Sequence, residues 1–161
     1  MHMTTAPNPT LSLSTIDGTT RSLDDWTTTF TQCWIILPSK SEAEEIIPVA
    51  EQIFKTFGDS DARCAYLVPG NEEVAKRLMN MTNDKYQCFV DPDFKVCDAL
   101  GITQAPSLVY IRQDTSVVYQ AQGFDIATWA QTTKDIAKAL RWTSPQLTKF
   151  KDVPSQAYPI K

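Results

Sequence analysis

The sequence predicts an α/β fold, a central mixed sheet flanked by helices. Two observations carry this. Runs at 32–37, 63–68 and 107–112 are apolar on both faces, as strands covered by helices on each side must be. Stretches with apolar residues at helical spacing, at 41–57, 71–81 and 126–140, alternate with them. The 161 residues fit one domain, which holds about 100–200 residues, and bury enough surface to need no disulfide or metal staple.

The chain opens with a flexible segment, residues 1–10, where Pro7 and Pro9 stand among Thr and Asn. Met1-His2-Met3-Thr4-Thr5-Ala6 has neither a charged nor an apolar signal region, so a cytoplasmic protein is the default expectation, with export after removal of a signal as the alternative. Leu11-Ser12-Leu13-Ser14-Thr15-Ile16 alternates apolar and polar, the mark of a half-exposed strand. Asp17-Gly18 turns it, and Arg21-Ser22-Leu23 returns as the second arm of a hairpin. Ser22 then caps a short helix to about residue 29, with Asp24 and Asp25 in its first turn.

The run at 32–37 ends at Pro38, and Ser39-Lys40-Ser41 forms a short loop. Ser41 with Glu44 three residues on reads as a capping box for a helix to Phe57. Its core stripe is Ile46, Ile47, Ala50, Ile53, Phe54 and Phe57, Pro48 bends it, and Gly58 ends it. After the strand at 63–68, Asn71 caps a helix through about Met81 with Val74, Ala75, Leu78 and Met79 inward. Residues 86–90 make a short strand ended by Asp91-Pro92, and 94–100 a short helix stopped by Gly101. Pro106 opens the strand at 107–112, since a proline has no N–H for the middle of a ladder. A turn at 113–116 leads to a hairpin partner at 117–121. The last helix carries Ile126, Trp129, Ala130, Thr133, Ile136, Ala137 and Leu140 on one face. The domain thus spans 11–142. Residues 143–161, with Pro145, Pro154 and Pro159 and no periodicity, form an extended tail that either lies along the body or is disordered.

Composition narrows the chemistry. The net charge is −4 and the isoelectric point about 4.9, with no basic patch, so nucleic acid is not the expected partner. No apolar run approaches the ~20 residues of a membrane span. His2 is the only histidine, which removes Ser-His-Asp and Cys-His mechanisms and every His-ligated metal site. The four cysteines, Cys33, Cys64, Cys88 and Cys97, have no short C-x₂₋₄-C spacing for a thiolate metal site. No cofactor or metal is expected.

Three stretches resemble one family. Leu13-Ser14-Thr15-Ile16-Asp17-Gly18, continuing through Arg21-Ser22-Leu23 to Trp26, is similar to the opening hairpin of thioredoxin-like thiol-disulfide oxidoreductases and of peroxiredoxins of the alkyl hydroperoxide reductase type. Val90-Asp91-Pro92-Asp93-Phe94-Lys95-Val96-Cys97 resembles that family's Asp-Pro-Asp-Gly-x-Val-Ala segment, and Thr103-Gln104-Ala105-Pro106-Ser107-Leu108 resembles its cis-proline loop. Pro48 matches a frequent kink in its long helix. The resemblance covers about residues 11–141 and implies a thioredoxin fold with an N-terminal β-hairpin and an extra strand-helix insert. It also implies a reactive cysteine between the central strand and the long helix, where the helix N-terminus lowers a thiol pKa. Here that loop is Pro38-Ser39-Lys40-Ser41-Glu42-Ala43, without cysteine. A serine there cannot carry disulfide exchange, and no histidine is present to activate it.

Two readings follow. In the first, Pro38, Ser39, Lys40, Ser41, Ala105 and Pro106 line a degenerate active-site groove that binds a peptide or protein partner without redox chemistry. The cis-proline edge offers β-pairing, and the helix N-terminus and Lys40 offer polar contacts. In the second, the chain is a thiol oxidoreductase or peroxiredoxin-like enzyme using Cys88 and Cys97, nine residues apart across a turn. Cys33 and Cys64 fit adjacent buried strands as small hydrophobes. Glu42, Glu44 and Glu45 read as helix-dipole charges.

Overall fold

The computed structural model describes residues 7–39, 41–82 and 86–161. A seven-stranded sheet is built from β1 (Ser12–Thr15), β2 (Thr20–Ser22), β3 (Thr31–Ile36), β4 (Ala62–Val68), β5 (Gln87–Val90), β7 (Ser107–Ile111) and β8 (Val117–Gln122). Its order is β2-β1-β5-β4-β3-β7-β8. β3 pairs parallel with β4, and β4 with β5, whereas β7, β8, β1 and β2 join antiparallel. The sheet is therefore mixed. A second, two-stranded sheet pairs β6 (Gln104–Ala105) with β9 (Tyr158–Pro159).

The helices are α1 (Leu23–Thr27), α2 (Ala43–Phe57), α3 (Glu72–Met79), α4 (Lys95–Leu100) and α5 (Ile126–Leu140). Strand alternation divides the core in two. Cys33, Ile35 and Leu37 face α2, α3 and α5, against Phe54, Leu78, Trp129 and Ile136. Trp34 and Ile36 face α1 and α4, against Leu23, Val96 and Leu100. The one polar residue buried in β3, Gln32, is satisfied: its amide donates to the Trp26 carbonyl (2.7 Å) and its oxygen accepts from the Trp34 indole (3.0 Å). α2 carries Pro48 on its exposed side, and a proline leaves the carbonyl one turn earlier without its helical donor.

The helix starts follow their caps. Ser22 Oγ accepts from the Asp25 amide, Asn71 from Val74, and Asp125 from Thr128. The capping box expected at Ser41 does not form. α2 begins one residue later than that box requires, with Glu42 as its cap, and the Ser41 hydroxyl turns to the Glu42 carboxylate at 3.4 Å. The amides of Glu44 and Glu45 donate instead to the carbonyls of Ser41 and Glu42, each at 3.1 Å, which tightens the first turn.

The strand-helix insert is held by Asp91. Its carboxylate, on a residue only 3% exposed, accepts from the amides of Val96 (3.0 Å) and Cys97 (2.9 Å) and so closes the start of α4. Phe94, just before that helix, has φ +61, the left-handed conformation that favours glycine.

The tail lies on the body. The Trp142 indole donates to the Thr56 carbonyl at the end of α2 (2.7 Å). Pro145 and Leu147 are buried, and Phe150 and Val153 pack on the α2–α5 core. The chain then climbs to the opposite end of the sheet and ends in β9.

Replacing Asp91 by Ala strands two buried amides, and the expected loss is about 2–3 kcal/mol of unfolding free energy in urea denaturation, with Asp91→Asn losing less.

Candidate functional site

The register of the sheet assembles the site. Ile36, the last residue of β3, lies opposite Ser107, the first of β7. The loop after β3 and the residues before β7 therefore meet at one end of the sheet. Pro38 is buried and Ser39 and Ser41 are exposed, with α2 starting behind them. Ala105 and Pro106 are buried, and the bond between them is cis. Lys40, expected in the groove, lies outside the described residues. The loop and the proline are brought together, but the helix end is a poor anion site. Two of its amides bond internally, and Glu42, Glu44 and Glu45 crowd its first turn.

The segment before Pro106 is fixed by polar contacts. The Gln122 amide donates to the Gly101 carbonyl (2.9 Å), and its oxygen accepts from the Thr103 amide (2.9 Å). The Ser107 hydroxyl donates to the Gln104 carbonyl (2.6 Å).

The expected open edge is not open: the chain's own C-terminus pairs with it. Gln104 stands opposite Pro159 and Ala105 opposite Tyr158, antiparallel. The Ile160 amide donates to the Thr103 carbonyl at 3.0 Å. Hydrogen-bonded and non-bonded pairs alternate along such a ladder. Gln104 and Pro159 thus occupy the non-bonded position, where proline's missing N–H costs nothing. Two residues before Tyr158, Gln156 and Phe124 exchange both backbone bonds, at 3.0 and 2.7 Å. Gly123 makes room for this crossing. It has φ +78, and a Cβ there would come within 3.1 Å of the Ala157 Cβ.

The tail's side chains reach three features of the site. Ile160 packs on the apolar cluster that contains α4. Lys161 pairs with Asp98 at 2.9 Å, both largely exposed, a contact worth about 0–1 kcal/mol. Tyr158 lies within the field of Glu42 and Glu45, and partial burial followed by those two carboxylates raises its phenol pKa.

The sequence offered Cys88 and Cys97 as a pair; the sheet separates them. Cys88 belongs to the core beneath α2, α3 and α5, and Cys97 to the core beneath α4. β5 alternates its side chains, and α4 packs on the face away from Cys88. All four cysteines are free. Burial pushes the Cys88 thiol from its ordinary value of 9.0 up to about 12. Burial, with the Asp91 carboxylate beside it, raises Cys97 as well. The thiols that do become neighbours are Cys33 and Cys64, in register on β3 and β4. The Cys64 thiol and burial together hold Cys33 well above the ordinary value. Raised pKa values oppose thiolate formation, the reverse of what a redox nucleophile needs.

No protein-family model matches the sequence, and no curated protein does. Solved structures do. A putative thiol:disulfide interchange protein DsbE from Chlorobium tepidum superposes with TM-score 0.72, over 86% of this chain and 98% of that one, at 16% identity. A thioredoxin-like protein from Porphyromonas gingivalis gives 0.66, over 85% and 94%, at 15% identity. The chain has the thioredoxin fold. Its neighbours in that fold include the bacterioferritin comigratory protein of Xanthomonas campestris, which reduces alkyl peroxides, with TM-score 0.64 over 81% of this chain and 90% of that one, at 14% identity. Identities this low carry the thioredoxin fold and not its chemistry. No helix among the described residues is long and apolar enough to cross a membrane.

Of the site, the sequence announced the loop, Ala105 and Pro106. It did not announce Thr103 and Gln122 or the tail residues 156–161. The only signal for the tail was Tyr158 and Ile160 two residues apart, at strand spacing, and the proline between them argues against a strand.

Native Cys88 and Cys97 are expected to resist iodoacetamide at pH 8 and to react on unfolding. Because the unfolded Cys88 thiol ionises first, stability is unaffected below pH 9 and falls as pH rises from about 9 towards 12. At pH 10 the Cys88 share of that loss is about 1.4 kcal/mol, and urea denaturation of Cys88→Ala should show a correspondingly flatter alkaline limb.

Proposed function

We propose that this chain is a thioredoxin-fold binding module that takes an extended peptide or protein segment along Gln104–Ala105, beside Pro106, without thiol chemistry. One observation carries the reading. The backbone groups of this edge make an antiparallel ladder with an extended segment, while the loop facing it has serines where the fold's redox members carry a reactive cysteine. Main-chain pairing supplies affinity, and the flanking side chains supply selectivity. A cytoplasmic setting is part of the proposal, supported by four cysteines that are all free.

The second reading, a thiol oxidoreductase or peroxiredoxin-like enzyme using Cys88 or Cys97, draws support from the structural neighbours. The burial of both thiols and their raised pKa values stand against it.

The test has two arms. With dithiothreitol as donor, the chain is expected to reduce neither insulin nor hydrogen peroxide above the uncatalysed rate. A peptide selected from an array, added to the ¹⁵N-labelled full chain, is expected to move the amide signals of Thr103, Gln104 and Ala105. Catalysis abolished by Cys97→Ala or Cys88→Ala would establish the second reading. Shifts centred anywhere else would remove the edge as the binding site.

A further inference from the structure

The tail has two parts that are held very differently. Residues 142–153 are anchored through Trp142, buried Pro145 and Leu147, and Phe150 and Val153 on the core. Pro154 and Ser155 are exposed. Beyond them, residues 156–161 bury no side chain fully: Gln156, Tyr158 and Ile160 are half-buried, and Ala157, Pro159 and Lys161 are exposed. Their attachment is mainly backbone pairing to Phe124, Thr103 and β6. Gln156 Oε1 is buried without a hydrogen-bond partner among the described residues, which works against the closed position. A segment with few buried apolar contacts and an unsatisfied polar atom belongs to the low-stability end of a structure. It can leave the edge while the anchored part stays in place.

We propose that residues 156–161 are a built-in competitor for the Gln104–Ala105 edge, and that their side chains define the partner it takes. That partner is an extended peptide with an aromatic residue, an aliphatic residue two positions on, and a basic residue directly after. This rests on the edge being a peptide-binding site, as proposed above. The aromatic position corresponds to Tyr158, half-buried in β9 opposite Ala105 and within the field of Glu42 and Glu45. The aliphatic position corresponds to Ile160 on the α4 cluster, and the basic one to Lys161 at Asp98. The residue between aromatic and aliphatic sits at the non-bonded ladder position and tolerates proline. A partner must displace the tail, so its apparent affinity is its intrinsic affinity reduced by the fraction of chains with the tail released. The carboxylates of Glu42, Glu45 and Asp98 also select against acidic competitors.

The test uses the full chain and a fluorescein-labelled peptide of sequence Gln-Ala-Tyr-Pro-Ile-Lys. Ile160→Asp weakens the tail's hold without touching the edge, so this variant should bind the peptide about tenfold more tightly than the unaltered chain. A control peptide with Asp in place of Ile should not bind at the same concentrations. Lys161→Glu, an exposed change that leaves the fold alone, should move affinity in the same direction by about two- to threefold. Equal affinity in the unaltered chain and both variants, or no binding in any, would overturn the proposal. A concentration-dependent dimer of the unaltered chain that Ile160→Asp abolishes would overturn it in favour of a second copy's tail as the occupant. If array peptides of unrelated sequence shift Thr103–Ala105 amides without moving those of 156–161, the edge remains a binding site and this inference alone falls.

Discussion

The register between β3 and its two neighbours governs the rest of the molecule. β3 runs parallel to β4 over six paired residues and antiparallel to β7 over five. From Cys33 to Ile36 its side chains are wholly buried, alternately against α2 and α5 on one face and α1 and α4 on the other. A slip of one residue would exchange the two faces and drive Trp34 into the space filled by Ile35. This register also sets Ile36 against Ser107, which brings the loop after β3 and the proline before β7 to one end of the sheet. The shape of the site is thus inherited from the core.

The tail exploits that edge. A short strand with free backbone groups is a template for pairing, and the chain meets it with its own last residues. The ladder phase, set by the Ile160–Thr103 bond, puts Pro159 where no donor is required. Thr103 and Gln104 are held in turn by the Gln122 amide and the Ser107 hydroxyl. The edge that pairs is thus tied to the body by side-chain hydrogen bonds, and the segment that pairs with it buries no side chain fully.

Much of the fold was legible because its long elements carry two-sided apolar runs or clear helical stripes, as in β3, β4 and α2. The Asp91-Pro92 insert and Pro106 were legible from their turn chemistry. What failed did so for local reasons. Ser41 has the sequence of a cap, yet α2 begins one residue on, with Glu42 already in helical conformation. Cys88 and Cys97 are close in sequence, but their side chains belong to the two cores on opposite faces of the sheet. β6 and β9 are two residues each, too short for any alternation, and each abuts or contains a proline. Their pairing spans more than fifty residues of chain, and nothing local in either segment encodes it.

Residues 156–161 pair with the segment around Gln104–Ala105 and with Phe124, and scalar coupling across hydrogen bonds reads this pairing directly. In the ¹³C,¹⁵N-labelled full chain, the Ile160 amide nitrogen should couple to the Thr103 carbonyl carbon, and the Gln156 and Phe124 amides to each other's carbonyls. Random-coil shifts for residues 156–161 with no such couplings would contradict it.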